Sequence, residues 1–466
     1  MSITMSKAMF KAAVQGLSMV VAKKPVRAVF GCVRITANDG RVKMAATDLE
    51  QWVEYWNDSV ETVGENDFLF GLAELKELLR LPGDGKLQFD AKPGSVTVKI
   101  GELVKEYAAP GVNEFPEAPT VNTSPLAVGP EFFQKLRLAA PMTSKDKVNP
   151  TTNCISIRNG QIAVTNRREL LVLNYELGVE TPILLPIPKI LSLLDTTGTL
   201  AVKGDQVRLQ SGMWTTIIKQ APGTFPNYEQ IVPKPSTLTT QFSIGDTDRA
   251  TLLNTLGKLK INDPHEPVVL YGSTAGVFAV AGLTNSTVIR LQESKFQAEK
   301  PELPLFYTLS KPYLLDVLRS GFTRLRSADG LVLAAQGGPH AGYLIVMSLS
   351  ARFKADEIRQ VIEKSIPHHE FKPEDKTMSN EAKVAIPSES KSAADFKVVD
   401  PSVAADAFAN LNASLDKLHV ALYTLNTCVN DVCRQVRETQ RNVKQRDRSF
   451  RDLQTTIERF KKVANF

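Results

Sequence analysis

The chain has 466 residues, 43% of them hydrophobic and 23% charged, an ordinary globular composition and long enough for roughly three domains. No basic-then-apolar leader opens it and no apolar run approaches the roughly 18 residues of a membrane span, so a soluble cytoplasmic protein is expected. The net charge of +6 is spread as +4 over residues 1–352, −2 over 353–400 and +4 over 401–466, and Cys32, Cys154, Cys428 and Cys433 have no CxxC spacing, which argues against a polybasic domain, a disulfide scaffold and a zinc site.

In chain order, an amphipathic stretch comes first, "SKAMFKAAVQGLSMV", with apolar residues at helical spacing. A hairpin follows, "CVRITANDGRVKMAATD", turning at Asp39-Gly40. Next come a second helix from Gly71, "GLAELKELLRLP", and two strand-like runs, "KLQFD" and "SVTVKI". The loop "EYAAPGVNEFPEAP" ends this unit, and the same order then begins again: helix "GPEFFQKLRLAAPM", hairpin "CISIRNGQIAVTN" with its turn at Asn159-Gly160, and helix "PIPKILSLLDTTG" from Pro186. The loop "KQAPGTFPNYEQIVP" ends the second unit, and a third follows with "TDRATLLNTLGKLK", "VVLYGSTAGVFAVAG", "LSKPYLLDVLRSG" and a closing strand "GYLIVMSLS". The second helices start about 115 and 123 residues apart, a period too long for a solenoid of short repeats. Three tandem α+β domains are therefore expected, two helices on antiparallel sheet in each, at residues 1–122, 123–235 and 236–352. Cys32 and Cys154 fall at matching strand positions and read as core residues.

These units resemble the bacterial DNA polymerase III β subunit, the replication sliding clamp. The stretches that carry the resemblance are "ATDLE" (Ala46 to Glu50), "FPNYEQIVP" (Phe225 to Pro233), "PYLLDVL" (Pro312 to Leu318) and "YLIVMSL" (Tyr343 to Leu349), in that order over residues 1 to about 352. The resemblance implies a homodimeric head-to-tail ring of six domains, helices lining the hole and sheets outside, that encircles double-stranded DNA without reading sequence and tethers a polymerase. It implies no cofactor, no metal and no catalysis.

A ring that slides needs a diffuse positive lining, because neutralising many phosphates at once would anchor it. The candidates on the lining helices and adjoining loops are Lys24, Lys7, Lys11, Arg27, Arg80, Lys135, Arg137, Lys145, Lys147, Lys258, Lys260, Arg319 and Arg324. Lys24, just before Pro25, matches a DNA-contacting basic position of the family. The resemblance further implies an apolar pocket between domains two and three that captures short peptides of polymerases and the clamp loader. Its residues here would be Thr165, Arg167, Arg168, Leu170, Pro226, Ile231, Tyr313, Ile345, Met347, Ser348 and Leu349. This chain departs from the family at Asn166-Arg167-Arg168-Glu169, where Asp-Gly-His-Arg is usual. It departs again at Gln230, where an arginine is common, and at Ser348, where a proline is common.

The family pattern ends near Ser350 and the chain goes on. Residues 353–400 are rich in Lys, Glu, Ser and Pro, which reads as a flexible tether, with His368 and His369 a solvated pair. From Leu411 through Leu415, Leu418, Leu422, Leu425, Val429, Val432 and Val436 to Phe460, apolar residues follow heptad spacing, so residues 401–466 are expected to form a coiled coil or helical hairpin able to self-associate or recruit a further partner. The enzyme class has little to stand on: there is no GxxxxGK loop and no GxSxG elbow. The rival of a different class is a scaffold in which clamp-like domains merely carry the coiled coil.

Overall fold

The computed structural model describes residues 2–365 except 23, 83–84, 147–148, 262, 264, 283–285, 299–304, 328–331, 338–340 and 350–353. The heptad segment, Cys428, Cys433, His368 and His369 lie outside the described residues.

Each repeat opens on a strand that leads straight into a helix: Ser2–Ser6 into α1 (Lys7–Leu17), with α2 (Leu72–Arg80) following later, Leu126–Val128 into α3 (Pro130–Ala139), and Thr240–Ser243 into α4 (Asp246–Lys258), with α5 (Lys311–Arg319) later. Helix α1 begins where the Ser6 hydroxyl accepts the Met9 N–H at 3.2 Å, relieving one of the orphan donors of the first turn. Its Phe10, Ala13, Val14 and Leu17, one face at helical spacing, are buried. Helix α4 is tied down by Asp248, whose carboxylate accepts the N–H groups of Gln292, Glu293 and Ser294 at 3.0, 2.9 and 2.8 Å.

The described strands form four antiparallel sheets, and two of them cross the repeat boundaries. In an eight-stranded sheet, Trp214–Lys219 of the second repeat pairs with Gln51–Asn57 of the first, Thr216 opposite Val53. In a nine-stranded sheet, Glu169–Tyr175 of the second repeat pairs with Gly342–Met347 of the third, Leu170 opposite Ile345. The main-chain hydrogen bonds that would be left bare at an exposed strand edge are thus used to join the repeats. Helices cover one face of these sheets in a single large core, which includes Phe10, Phe70, Phe89, Phe132, Phe133 and Phe322. At the first boundary the fit is close: a Cβ on Gly16 of α1 would sit 2.2 Å from Cη2 of Trp214. Cys32 and Cys154 begin equivalent strands and are both buried free thiols. Burial pushes the Cys154 thiol up to about 11.

Two expectations need correction. The helix expected from Pro186 is a single 3-10 turn, Leu191–Leu193. Pro186 and Pro188 lack N–H donors, and the first repeat claims the backbone between them and beyond: the Gln51 amide donates to Ile187 O at 3.0 Å and accepts from Lys189 N at 2.9 Å, while Lys189 pairs with Asp48. Ile190, Leu191 and Leu194 are buried nonetheless.

The second correction falls in the expected tether, where Ala355–Ser365 forms a helix, α6. The strands Pro267–Ser273 and Gly276–Ala281 are apolar on both faces. One face joins the main core; on the other, Val269, Tyr271, Phe278 and Val280 pack against Ile358 and Ile362 of α6, which are 0% and 1% exposed. A sheet dry on both faces requires a cover on both, and Ile358 and Ile362, one helical turn apart, supply it.

Candidate functional site

The seam between the second and third repeats brings together residues from distant parts of the chain. The turn after the second hairpin is built by Thr165 and Asn166. The Thr165 hydroxyl donates to Glu169 O at 2.7 Å and accepts from Arg167 N at 3.1 Å, and Asn166 Oδ1 accepts from Arg168 N and Glu169 N, both at 3.0 Å. Arg167 has a left-handed φ of 74°, and its side chain reaches Asp146 at 3.4 Å. From that turn the shared sheet begins, with Met347 N–H donating to Arg168 O at 2.9 Å.

Leu170 and Ile345 then form the buried floor of a second cluster with Phe225, Tyr228 and Leu238. Around that floor, Pro226 is exposed, Ile231 is 60% exposed and Met347 53% exposed. The arrangement is an apolar floor with accessible apolar side chains beside it, the kind of surface that takes up hydrophobic side chains from a flexible segment. Ser348 and Leu349 are half-buried, and Leu349 N–H donates to Thr308 O at 2.9 Å, so the chain here leaves the shared sheet for the strand Leu305–Ser310. Tyr313 packs at the margin of the main core and not with the Leu170–Ile345 cluster.

Sequence reading missed Tyr228 and Tyr343. Tyr228 is 3% exposed, donates to Gln161 Oε1 at 2.8 Å and carries the Arg158 guanidinium 5.4 Å from its ring centre. Tyr343 packs against the same cluster, and burial pushes its hydroxyl up to about 12. The tyrosine in "FPNYEQIVP" was the available signal. Glu169, one of the departures from the family run, is 4% exposed on the strand opposite Val346. Its Oε1 accepts from Asn166 at 2.6 Å while Oε2 has no hydrogen-bond partner among the described residues. Burial, with the charge of Asp316 behind it, pushes the carboxyl up to about 8, so it is protonated at neutral pH.

The basic candidates separate into three groups. Lys24, Arg27, Lys11, Arg80, Lys145, Lys258, Lys260 and Arg324 are exposed. Lys7 donates to Leu81 O at 2.7 Å, Arg137 to Leu194 O at 2.5 Å, and Arg319 pairs with Asp316 at 3.2 Å. Lys135 has to be withdrawn: it is 3% exposed, pairs with Glu131 one turn earlier, donates to Asn174 O at 2.8 Å and lies 5.3 Å from the Tyr175 ring centre. Its ammonium is spent on internal acceptors. Lys147 lies outside the described residues. Beside Lys24, Val26 is 98% exposed, an apolar tip between two cations. Among the described residues no group of three or more His, Cys, Asp or Glu is arranged to hold a metal, and no helix is long and apolar enough to cross a membrane.

Comparison with solved structures places this architecture. A C. crescentus β sliding clamp aligns at 16% identity with a TM-score of 0.65, covering 75% of this chain and 99% of its own. The chain has the bacterial sliding-clamp fold. A DNA polymerase III β subunit clamp from Bartonella birtlesii, solved with griselimycin, aligns at 17% identity with a TM-score of 0.66, and the Helicobacter pylori β clamp bound to a DNA ligase peptide at 15% and 0.65; each covers 75% of this chain and 100% of its own. No family model matches the sequence, and no curated protein does. The clamp fold is thus aligned over the full length of those clamps, while a quarter of this chain lies outside it.

Proposed function

We propose that this protein is a DNA sliding clamp, a non-enzymatic processivity factor that closes head to tail with a second copy around duplex DNA and tethers a polymerase and other replication proteins through the seam between its second and third repeats. The observation that carries this reading is the end-to-end alignment of the three repeats with solved clamps. Two of the four sheets join the repeats, and the terminal sheets of repeats one and three keep outer strands, Leu103–Ala108 and Thr287–Leu291. Pairing such edges between copies completes a closed ring and leaves no strand bare. The exposed cations from Lys24 to Arg324 supply a diffuse field that holds DNA without fixing its position.

The sites follow from the same reading. The Leu170–Ile345 floor with Met347 and Ile231 takes the apolar residues of a partner peptide, Ser348 and Leu349 follow Met347 where the chain leaves the shared sheet, and Tyr313 stands apart at the margin of the main core. Such a protein works in the cytoplasm, where the replisome is. Electron microscopy of the purified protein in negative stain tests the geometry: a closed ring with a hole wider than a DNA duplex is expected, and rods or compact particles without a hole would overturn it.

A second reading, a clamp-like scaffold for a C-terminal coiled coil, is favoured by the quarter of the chain outside the clamp alignment. A truncation after Ser365 separates the two, because it removes the tail while keeping the α6 cover. Processive synthesis by residues 1–365 alone would sink the scaffold reading.

A further inference from the structure

The junction between the first two repeats copies the junction that carries the partner pocket. Thr47 and Asp48 build the same turn as Thr165 and Asn166, with Leu49 at φ 75° where Arg167 has 74°. Trp52 stands where Leu170 does, Phe115 where Phe225 does, and Ile217 where Ile345 does, each in a buried cluster. At this first junction, however, Trp52 packs edge-on against Phe115 at 5.5 Å and fills the slot. The open space lies further along the strand, at Trp56, beside a cavity of about 610 Å³ bounded by Arg208 and the segment from Ala118 to Thr123.

Three features mark this groove as built to receive something. Trp56 is 37% exposed, yet its ring is held: the indole N–H donates to Glu54 Oε2 at 3.1 Å and the Lys43 ammonium lies 5.2 Å from the ring centre. A ring already ordered costs little entropy to dock against. Arg208 has its Nε buried without a hydrogen-bond partner and makes no ion pair among the described residues, whereas nearby Glu54 is compensated by both indole N–H groups and by Lys43 at 3.9 Å. The uncompensated charge of the groove is therefore positive. Finally, the main chain of residues 118–122 runs without secondary structure and makes no hydrogen bond to a described residue, so its C=O groups, and its N–H groups other than at Pro119, which has none, are left to pair with an added strand.

We propose that this groove is a second docking site, one that takes an extended acidic peptide segment of a partner protein. A carboxylate of the peptide pairs with the Arg208 fork, an apolar side chain lies on Trp56, and the peptide backbone runs beside residues 118–122. The site does not depend on ring closure, on DNA or on the seam between repeats two and three.

The test is fluorescence anisotropy with labelled peptides alternating Glu with Leu or Phe, titrated with the full-length protein alongside Lys-for-Glu counterparts. The Glu peptides are expected to saturate and the Lys peptides not. Arg208→Met and Trp56→Ala should each weaken binding at least about tenfold, the loss expected for an anchor residue. Arg208→Lys should keep part of the affinity, which a merely misfolded variant would not, and Met347→Asp should leave it unchanged. Failure of every Glu peptide to saturate, wild-type affinity in both Arg208→Met and Trp56→Ala, or loss of binding in Met347→Asp would each overturn the assignment.

Discussion

Glu169 is a buried carboxyl whose ordinary value of 4.5 is pushed up to about 8, by burial first and by the charge of Asp316 second. The folded protein therefore holds a proton that the unfolded chain releases above pH 4.5. The corresponding stability is fully present below that pH and is lost as pH rises through about 8, at no more than about 1.4 kcal/mol per pH unit. Urea unfolding midpoints of Glu169→Gln should fall less than those of the native protein between about pH 5 and about pH 8; parallel pH profiles would refute the assignment. Arg167 poses a question of backbone. A left-handed φ of 74° costs a non-glycine residue about 1 kcal/mol, and its exposed ion pair with Asp146 returns less than that. Arg167→Gly should raise the midpoint of thermal unfolding slightly, by about a degree, whereas Arg167→Val, β-branched at the same φ, should lower it; calorimetry reads both. The resemblance made this position legible, since the family run has glycine there, but the burial of Lys135 was not. Its place on an amphipathic helix looks the same whether the ammonium meets solvent or Glu131 and Asn174 O.

Helix α6 shows what average composition conceals. Residues 353–400 read as a tether because Lys, Glu, Ser and Pro dominate the stretch as a whole, yet Ile358 and Ile362 alone suffice to seat a helix on a sheet that is apolar on both faces. The nearly unbroken apolar runs of Pro267–Ser273 and Gly276–Ala281 were the available signal, since an edge sheet with one wet face alternates, as Ser95–Ile100 does. Ile358→Asp should uncover Val269, Tyr271, Phe278 and Val280 and cost about 3–5 kcal/mol, with self-association visible by light scattering; a well-behaved variant of unchanged stability would mean that α6 only rests on the sheet. Hairpin turns were legible because their chemistry is local: Asp39 and Gly40 both have positive φ, at 49° and 76°, as a two-residue turn demands. The missing helix of the second repeat was not, because the group that captures its backbone, Gln51, belongs to another repeat. The threefold period led to an expectation of three domains but said nothing of the two sheets that run across the repeat boundaries, which depend on pairing between strands well over a hundred residues apart in sequence.

At the scale of the whole molecule, a clamp must combine weak electrostatic contact with a link that salt does not break. The two contributions respond differently to mutation. Lys24 and Arg27 flank the fully exposed Val26, on a loop where both cations are open to solvent. If they touch phosphates, Lys24→Ala with Arg27→Ala should weaken binding to a short open duplex and reduce the slope of log K against log salt by about two. If the proposed ring forms, retention on a circular duplex depends on enclosure, so protein assembled around a nicked circle should survive a salt wash with or without these substitutions and leave when the circle is cut. Gel filtration of protein and DNA together before and after linearisation measures that. Salt-sensitive loss from the intact circle would show that contact, and not encirclement, holds the protein, and the head-to-tail ring would have to be given up. An unchanged salt slope in the double variant, with retention on the circle intact, would leave the ring standing and move the DNA contacts to the other exposed cations, Lys258, Lys260 and Arg324 among them.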